Sequence, residues 1–585
     1  MPPCSSRVAL TGLRPRHHRL VPNVLKRKPY STSSSDAEDY DVVIVGGGPA
    51  GLALGSALGS IPHVRETTSV ALVEAGDLAK IREWSPQEGT YSNRVSSITN
   101  ASQRFLEGIG AWLHVEESRT MPMEEMQVWD GISDARISYA ASELGFRHNG
   151  KPQMARLTEN LNLQRGLLRH LTSIPEVHLL DNTKVGEISK EEREGGGWPL
   201  VRLSNGRLLR ARLLVGADGF SSPVRSYAEI SSYGWSYPTH AIVATLSHPP
   251  LSLSPNTTAY QRFLPTGPIA FLPLSPTVSS LVWSTRPNFA QILTKGVDNG
   301  VLVSMINAAF RLPEVSMKYL HQVLSDAAEA GRPVTPEQIQ EEIAFRERSH
   351  AIAAHSPLSS SLSNTQSTGL PPEDAELYPP LVTGVQPGTV ASFPLRFNHA
   401  DVYIGEGRGA RTVLVGDAAH TIHPLAGQGL NMGLMDVESL AKCIGDAVLT
   451  GADIGSYTTL LPYARARYFE NHKLLSAVDK LHKLYSSTSE PVVWARSVGL
   501  EVVNELDTLK AALMMSAGAN VKEDGNGGQK VWGSVGSEMW GAAAKGIESL
   551  AGAASAAAML GQVVGGAMGN GIQQLVRNVA GERRM

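Results

Sequence analysis

Cysteine is scarce in this chain: 585 residues carry two, Cys4 and Cys443. A pair so placed can build neither a disulfide scaffold nor a cysteine-held zinc or iron–sulfur site. Redox chemistry would therefore need a bound organic cofactor or an outside electron carrier. Positive charge is also lacking. The formal net charge is −3, and the first 35 residues hold seven Lys or Arg and no acid, leaving 45 basic against 55 acidic residues in the remainder. This balance disfavours a nucleic-acid partner. No Ser-His-Asp signature is evident, and no internal repeat of fixed period is visible. With 42% hydrophobic and 18% charged residues, the chain has the material for two or three domains with buried cores.

What stands at the start is a basic leader. Arg7, Arg14, Arg16, Arg19, Lys26, Arg27 and Lys28 lie among Ser, Pro and His, and acids begin only at Asp36. Residues 1–35 thus have the composition of a mitochondrial transit peptide, and no apolar run of seven or more follows the charges as a secretory signal would require. At the other end, residues 549–576 carry no charge, and Leu560, Val564, Met568, Ile572 and Val576 recur every four residues as an apolar helical stripe. Gln562, Asn570, Gln573 and Gln574 argue against a clean membrane span. The Gly/Ala-rich tail over 517–585 therefore reads as peripheral or disordered.

Between these ends the pattern is α/β. Residues 40–45 form an apolar run ending in glycines, followed by a helical pattern over 50–58 and a second apolar run over 69–74, a β-α-β unit. Further strands are expected at 126–129, 135–141, 177–180, 207–215, 241–246, 269–274, 279–284 and 412–415. Helices are expected at 158–171, 301–310, 429–450 and 461–485. Residues 195–197 read as a hairpin loop, and the Ser/Pro-rich stretch 355–387 as a flexible surface insertion.

Gly46, Gly48 and Gly51 form G-x-G-x-x-G directly between the first strand and its helix. In such a motif the first glycine permits the tight turn, the second lets the backbone approach a pyrophosphate, and the third lets helix and strand pack closely. Glu74 ends the second strand, where a carboxylate can accept both hydroxyls of a ribose. Two later segments repeat the strand-acid-helix design. Leu213 to Gly219 contains Gly216, Ala217 and Asp218, followed by Pro223 and Arg225. Thr412 to His420 contains Gly416 and Asp417, and continues through Pro424, Gly427, Gln428, Gly429 and Asn431. Asp417 sits where a carboxylate could hold a ribityl hydroxyl, and the turn from Gly427 to Asn431 opens a helix whose N-terminal dipole could face a flavin's pyrimidine edge.

With these three motifs in this order, the chain resembles the flavoprotein aromatic hydroxylases, single-component FAD monooxygenases, from about Asp41 to Tyr485. The finer resemblance, carried by Tyr91 to Ile98, Gln261 to Ala270 and His420 to Asn431, is to the ubiquinone-biosynthesis monooxygenases. It implies a Rossmann-like FAD-binding domain with an inserted mixed or antiparallel-sheet substrate domain and C-terminal helices. The implied organisation is FAD-binding over 38–232 (with short substrate-domain strands near 126–141), substrate domain over 233–387, then FAD-binding again with C-terminal helices over 388–516. It further implies that Gly46, Gly48, Gly51 and Glu74 bind the ADP part of FAD, that Asp218 lies in a segment shared by FAD and NAD(P)H, and that Asp417, Gly427, Gly429 and Asn431 serve the rest of the flavin. Arg94 and Gln164 match flavin-contacting positions.

The implied chemistry is the cofactor's: reduced flavin and O2 give a C4a-hydroperoxide that attacks an electron-rich phenol, so no covalent protein nucleophile is required. His420 and His423 are acid/base candidates, with a structural role in the loop as the alternative. A His-x-x-His pair without a third ligand is a poor metal site, and none is expected. The implied substrate is a polyprenylated 4-hydroxybenzoate or phenol, met at the matrix side of the mitochondrial inner membrane, alone or with other ubiquinone-biosynthesis proteins in a membrane-associated complex. Electrons would come from ferredoxin and ferredoxin reductase or from NADPH. Residues 263–274, interrupted by Pro265, Pro268 and Pro273, are candidates for an apolar pocket. Two rival readings are a mitochondrial hydroxylase of a small polar substrate, such as kynurenine, and a flavin-binding assembly subunit without turnover.

Overall fold

The computed structural model describes residues 37–192, 197–251, 255–353, 356–360 and 375–516. The expected leader over 1–35 and the tail over 517–585 lie outside the described residues.

Chain order begins with β1 (Glu38–Val45), α1 (Pro49–Ser60), α2 (Pro62–Thr67), β2 (Val70–Val73) and α3 (Ala79–Arg82). Next come β3 (Val95–Thr99), α4 (Asn100–Gly108), β4 (Thr120–Met123), β5 (Glu125–Asp130), β6 (Arg136–Ala140) and α5 (Ala141–Leu144). A small hairpin, β7 (Arg147–His148) and β8 (Lys151–Pro152), leads to β9 (Ala155–Glu159) and α6 (Asn160–Thr172). Then follow β10 (Val177–Leu180), β11 (Val185–Lys190), β12 (Pro199–Leu203), β13 (Leu208–Gly216), α7 (Pro223–Tyr227) and the long β14 (Ser232–Ser247). β15 (Thr258–Leu264), β16 (Gly267–Pro273) and β17 (Val278–Thr285) precede α8 (Pro287–Gln291), α9 (Asn299–Arg311), α10 (Glu314–Glu329) and α11 (Pro336–Ser349). The last part holds β18 (Gly384–Val385), β19 (Ala391–Ala400), β20 (Thr412–Leu414), β21 (His420–Thr421), α12 (Gly429–Thr450), α13 (Tyr457–Ser486), α14 (Glu490–Asn504) and α15 (Asp507–Ser516).

Two large sheets organise these elements. The first runs β10-β2-β1-β13-β12-β11, with β20 also paired to β13. Its central pairs β10/β2, β2/β1, β1/β13 and β13/β20 are parallel. Parallel strands buried on both faces need unbroken apolar runs, and β2, Val-Ala-Leu-Val, is buried at every position. α1 is buried from Gly51 through Gly59, and its Ala and Gly content lets it pack tightly beneath the longer α12. Of the expected hairpin loop at 195–197, residues 195 and 196 lie outside the described residues; β11 and β12 pair antiparallel.

The second sheet runs β21-β19-β14-β17-β16-β15-β5-β6, with β18 also on β14. It is antiparallel except for the parallel pair β15/β5. One face carries Trp129, Tyr260, Phe271 and Trp283 into a core shared with Phe310, Met317 and Ile339 of the covering helices. The other face looks toward α13, α14 and α15. A third sheet, β3-β9-β4, bridges the two.

Three expectations are corrected here. Pro265, Pro268 and Pro273 do not break up pairing: β15 and β16 form a regular antiparallel hairpin in which Pro268 faces Phe263, and Pro273 closes β16 opposite Ser279. The strand expected at 241–246 is one part of the sixteen-residue β14. The stretch 355–387 is not surface throughout: Tyr378 and Val382 join the second core, Asn307 exchanges two hydrogen bonds with the backbone of Val382 at 2.9 Å each, and Gln386 bonds both backbone groups of Tyr91. Apolar anchors spaced among Pro and Ser tie its last part down.

Candidate functional site

The three glycine-rich turns converge on one cavity of about 2290 Å3. Gly48, Ala217, Gly219, Gly416, Asp417, Gly427 and Gly429 all line it. Gly46 turns with φ +112°, and a Cβ there would strike the backbone of Ala217 and Asp218, so only glycine fits the crossing of β1 and β13. Gly48 is different. A Cβ built on it meets nothing within 4 Å, because the backbone there opens onto the cavity. α1 begins at this point with Pro49 in its first turn and no acidic side chain, and α12 also begins without an acidic first turn or a capping side chain. Both leave backbone N–H groups facing a space suited to an anion or an electron-rich edge.

Glu74 holds the rim of the first turn. Its Oε2 accepts from Gly47 N at 2.5 Å and its Oε1 from Gly76 N at 2.6 Å. Each oxygen keeps a lone pair for a further donor. Asp417 has no hydrogen-bond partner among the described residues and opens into the cavity. The residue is exposed to that space, but the protein packed around its carboxyl desolvates it enough to raise its pKa above the ordinary range, against the pull of His420. Arg94 and Gln164 also line the cavity, and neither side chain has a protein partner among the described residues. The Arg94 loop is braced from beneath by Glu159, a residue not singled out in the sequence. Its carboxylate accepts Ser92 N at 2.6 Å and pairs with Arg119 at 2.6 Å.

Seven sequence candidates do not line the cavity: Gly46, Gly51 and Glu74 shape the first turn, with Gly51 packed against the carbonyl of Gly46, and the other four are Asp218, Asn431, His420 and His423. Asp218 folds onto its own turn, with Oδ2 accepting Val224 N at 3.1 Å at the start of α7. Its neighbours Ala217 and Gly219 line the space instead. Asn431 is buried and spends both ends of its amide on protein: Oδ1 accepts Thr99 N at 3.0 Å and Nδ2 donates to Ser97 O at 2.7 Å. It staples β3 to the first turn of α12. His420 is buried against Asp436, Nε2 to Oδ2 at 2.6 Å. Asp436 also accepts Gly416 N at 3.1 Å, Arg467 Nε at 2.9 Å and Asn471 Nδ2 at 2.9 Å. Burial alone would raise its carboxyl, but His420 and Arg467 hold it down at about 2. His423 is fully buried and accepts Leu425 N on Nδ1 at 3.1 Å. Burial, with His482 beside it, pushes its imidazole down to about 3. Both histidines are buried and neither lines the cavity; for His420 the placement is invisible in sequence because its partner Asp436 lies 16 residues on, within α12.

Away from the turns the cavity becomes apolar. The second sheet contributes Met126, Val128, Ile137, Phe263, Leu272 and Val282, and α13 to α15 close it with Leu481, Leu484, Leu500, Val503 and Met514. Phe263 stacks on Tyr485 at 4.0 Å between centroids. Arg496 of α14 is fully buried and pairs with Asp130 at the end of β5, 2.9 Å, while donating to the carbonyls of Leu484 and Ser487. This pin seats α14 on the sheet.

The residues present fit an elongated dinucleotide: an open backbone at Gly48, two uncapped helix starts, and an unpartnered carboxylate at Asp417. The FAD binding domain family model matches residues 39–292 and 383–468. The mitochondrial ubiquinone biosynthesis monooxygenase COQ6 of Schizosaccharomyces pombe is 38% identical over 478 residues, covering 80% of this chain and 90% of that protein. The chain belongs to the COQ6 family. The Saccharomyces cerevisiae member is 36% identical over 512 residues, with 86% and 98% covered, and the Homo sapiens member 35% over 494, with 83% and 94%. The COQ6-family chain is thus an FAD-dependent monooxygenase of ubiquinone biosynthesis, with FAD as its cofactor. Its fold is also that of p-nitrophenol 4-monooxygenase PnpA from Pseudomonas putida, at 17% identity and TM-score 0.53 over 82% of this chain and 99% of that one. PqsL, a probable FAD-dependent monooxygenase from Pseudomonas aeruginosa, aligns at 20% identity and TM-score 0.52, covering 79% and 99%.

Proposed function

We propose that this chain hydroxylates the ring of a polyprenylated 4-hydroxybenzoate or related polyprenylated phenol, at the matrix face of the mitochondrial inner membrane. The observation that carries the reading is the continuity of the cavity, from the fingerprint glycines to a chamber walled by Met126, Ile137, Leu272, Leu484, Leu500 and Val503. Ligand pockets ordinarily hold about 300–1,000 Å3, so about 2290 Å3 has room for a flavin and an elongated apolar ligand together. The chamber's Arg496 is committed to Asp130 and cannot also hold the carboxylate of a small amino-acid substrate. That supports a prenylated phenol over kynurenine.

Bound FAD supplies the activation of O2 and the oxygen that enters the ring. The chain's own residues bind and position. In this reading Gly46, Gly48, Gly51 and Glu74 hold the ADP part, Asp417 holds the ribityl chain, and the turn from Gly427 to Gly429 presents its N–H groups to the flavin's pyrimidine edge. Arg94 and Gln164 close over the flavin from the loop before β3 and from α6. Asn431 and the Asp436 network keep these turns in place without touching the cofactor. α13, α14 and α15 exclude water from the reacting space.

At roughly 25 cal/mol per Å2 of apolar surface, a tail of several isoprene units leaves little substrate free in water. The enzyme therefore meets it at a membrane, alone or in an assembly with other ubiquinone-biosynthesis proteins. Among the described residues no helix is long and apolar enough to cross a membrane, while Trp494, Val498 and Val502 of α14 are exposed beside the cavity, which supports peripheral docking on that side. The preferred electron donor is ferredoxin with its reductase rather than NADPH. The test is turnover of the purified holoenzyme with a prenylated phenol under each donor. A ring-hydroxylated product with ferredoxin supports the reading, whereas turnover-rate flavin reduction by NADPH alone overturns the donor assignment, and hydroxylation of kynurenine in place of the phenol overturns the substrate.

A further inference from the structure

The cavity-facing side of the second sheet carries one transverse row of paired residues, Ile137, Val128, Gln261, Ala270 and Val282, from five adjacent strands. All five line the cavity. Four are aliphatic, and Gln261 sits in the middle. The residue is 7% exposed and its amide has no hydrogen-bond partner among the described residues. An amide that opens into an otherwise aliphatic cavity wall without a protein partner is placed to bond a ligand there. Two residues along β6 lies Tyr139, which also lines the cavity and whose hydroxyl likewise has no protein partner among the described residues. Burial pushes its phenol up to about 12, so it remains a donor at every physiological pH. Tyr260, the other tyrosine on these five strands, is committed to Glu376 O at 3.1 Å.

We infer that Gln261, with Tyr139 beside it, recognises the oxygen substituents of the substrate's aromatic ring and so selects which ring carbon is presented for hydroxylation. The inference rests on the phenol reading above and deepens it. A strand spacing of about 4.8 Å and a rise of about 3.4 Å per residue place the two Cα atoms about 12 Å apart, a gap that two long side chains and a phenol ring between them can bridge. A glutamine amide donates from its NH2 and accepts on its C=O, so it can serve a phenol hydroxyl and a ring carboxylate equally. Elsewhere the walls of the row are aliphatic and can hold a ring without orienting it. An amide facing a ring without oxygen would be left unpaired, which is how a polar site rejects the wrong ligand.

The experiment compares the full-length holoenzyme with Gln261→Met, which keeps length and loses the amide, and with Tyr139→Phe, which loses only a hydroxyl. Each is assayed with a prenylated phenol and with its analogue lacking the ring hydroxyl, recording FAD content, thermal midpoint, kcat, KM, product per O2 consumed, and product regiochemistry. The inference expects FAD content and midpoint to hold in Gln261→Met while kcat/KM on the phenol falls at least tenfold. More O2 should then be released as H2O2, and the preference for phenol over analogue should shrink by a similar factor. Tyr139→Phe should act in the same direction and more weakly. If the parent hydroxylates the phenol and Gln261→Met matches it in kcat/KM, coupling and discrimination, the inference fails alone. A well-folded parent that ignores prenylated phenols overturns the substrate reading, and the inference with it.

Discussion

Replacing Asp417 by Ala isolates the contact between protein and ribityl chain. The carboxylate opens into the cavity with no protein partner among the described residues, so its removal leaves no donor unsatisfied in the fold. Enclosure raises its carboxyl pKa, which means the ionised form opposes folding of the cofactor-free protein above that pKa. The apo variant should therefore melt at the same temperature as the parent or higher at neutral pH. FAD binding should move the other way. A hydrogen bond to a charged acceptor is worth about 1.5–3 kcal/mol, and each 1.4 kcal/mol is about tenfold in affinity, so Kd should rise by about ten- to a hundredfold. Titration of apoprotein with FAD, followed by flavin fluorescence, reads this directly. A pH series adds a second check. As pH falls through the raised Asp417 pKa the parent should lose its advantage, while the Ala variant, having no carboxyl to protonate, should lack that step. Equal Kd values at neutral pH, or parallel pH curves, would refute the assignment and leave Asp417 as a helix-start residue.

Gly48→Val should fold with an unchanged apo melting temperature, because its side chain enters open space, yet retain no FAD after gel filtration; full flavin occupancy would disprove the cradle. Arg496→Leu leaves the buried Asp130 carboxylate with its Ser133 hydrogen bonds but no counter-charge, at a cost of about 3–5 kcal/mol. A clear drop in thermal midpoint is expected, partly recovered in the double variant with Asp130→Asn, and an unchanged midpoint would show that α14 is seated by other contacts. His423→Asn keeps an acceptor for Leu425 N, and an imidazole held at about 3 cannot titrate in the working range, so activity and the pH profile should be preserved. A lost limb of that profile would restore His423 as an acid or base.

The parts of this molecule visible in the sequence are those where one local rule decides. The β1-α1-β2 unit follows from an apolar run, three glycines and a second run, and α12 begins at Gly429 as the turn chemistry indicates. β15 does not stand out in the sequence because Gln261 and Arg262 interrupt its apolar pattern, although Arg262 is held there by the carbonyls of Ala309 and Leu312. β19 was missed because its first half, with Pro394 and Arg396, lies at the surface. α10 and α11 are amphipathic, with thin buried stripes such as Ile339 and Ile343, and did not rise above the polar background. At the site, the turns were legible and the side-chain directions were not. Asp218 and Asp417 sit in similar strand-acid-helix motifs, yet one caps α7 while the other opens into the cavity. Asn431, His420 and His423 belong to a motif that builds the site, and their partners Thr99, Asp436 and Leu425 show that they build it from behind.

The most direct test of the central claim is isotopic. The holoenzyme, given ferredoxin, its reductase and 18O2, should place one labelled oxygen atom on the ring of a polyprenylated phenol, and none when the label is in water. An unlabelled product, or no ring hydroxylation by fully flavin-loaded and reduced enzyme, would contradict it.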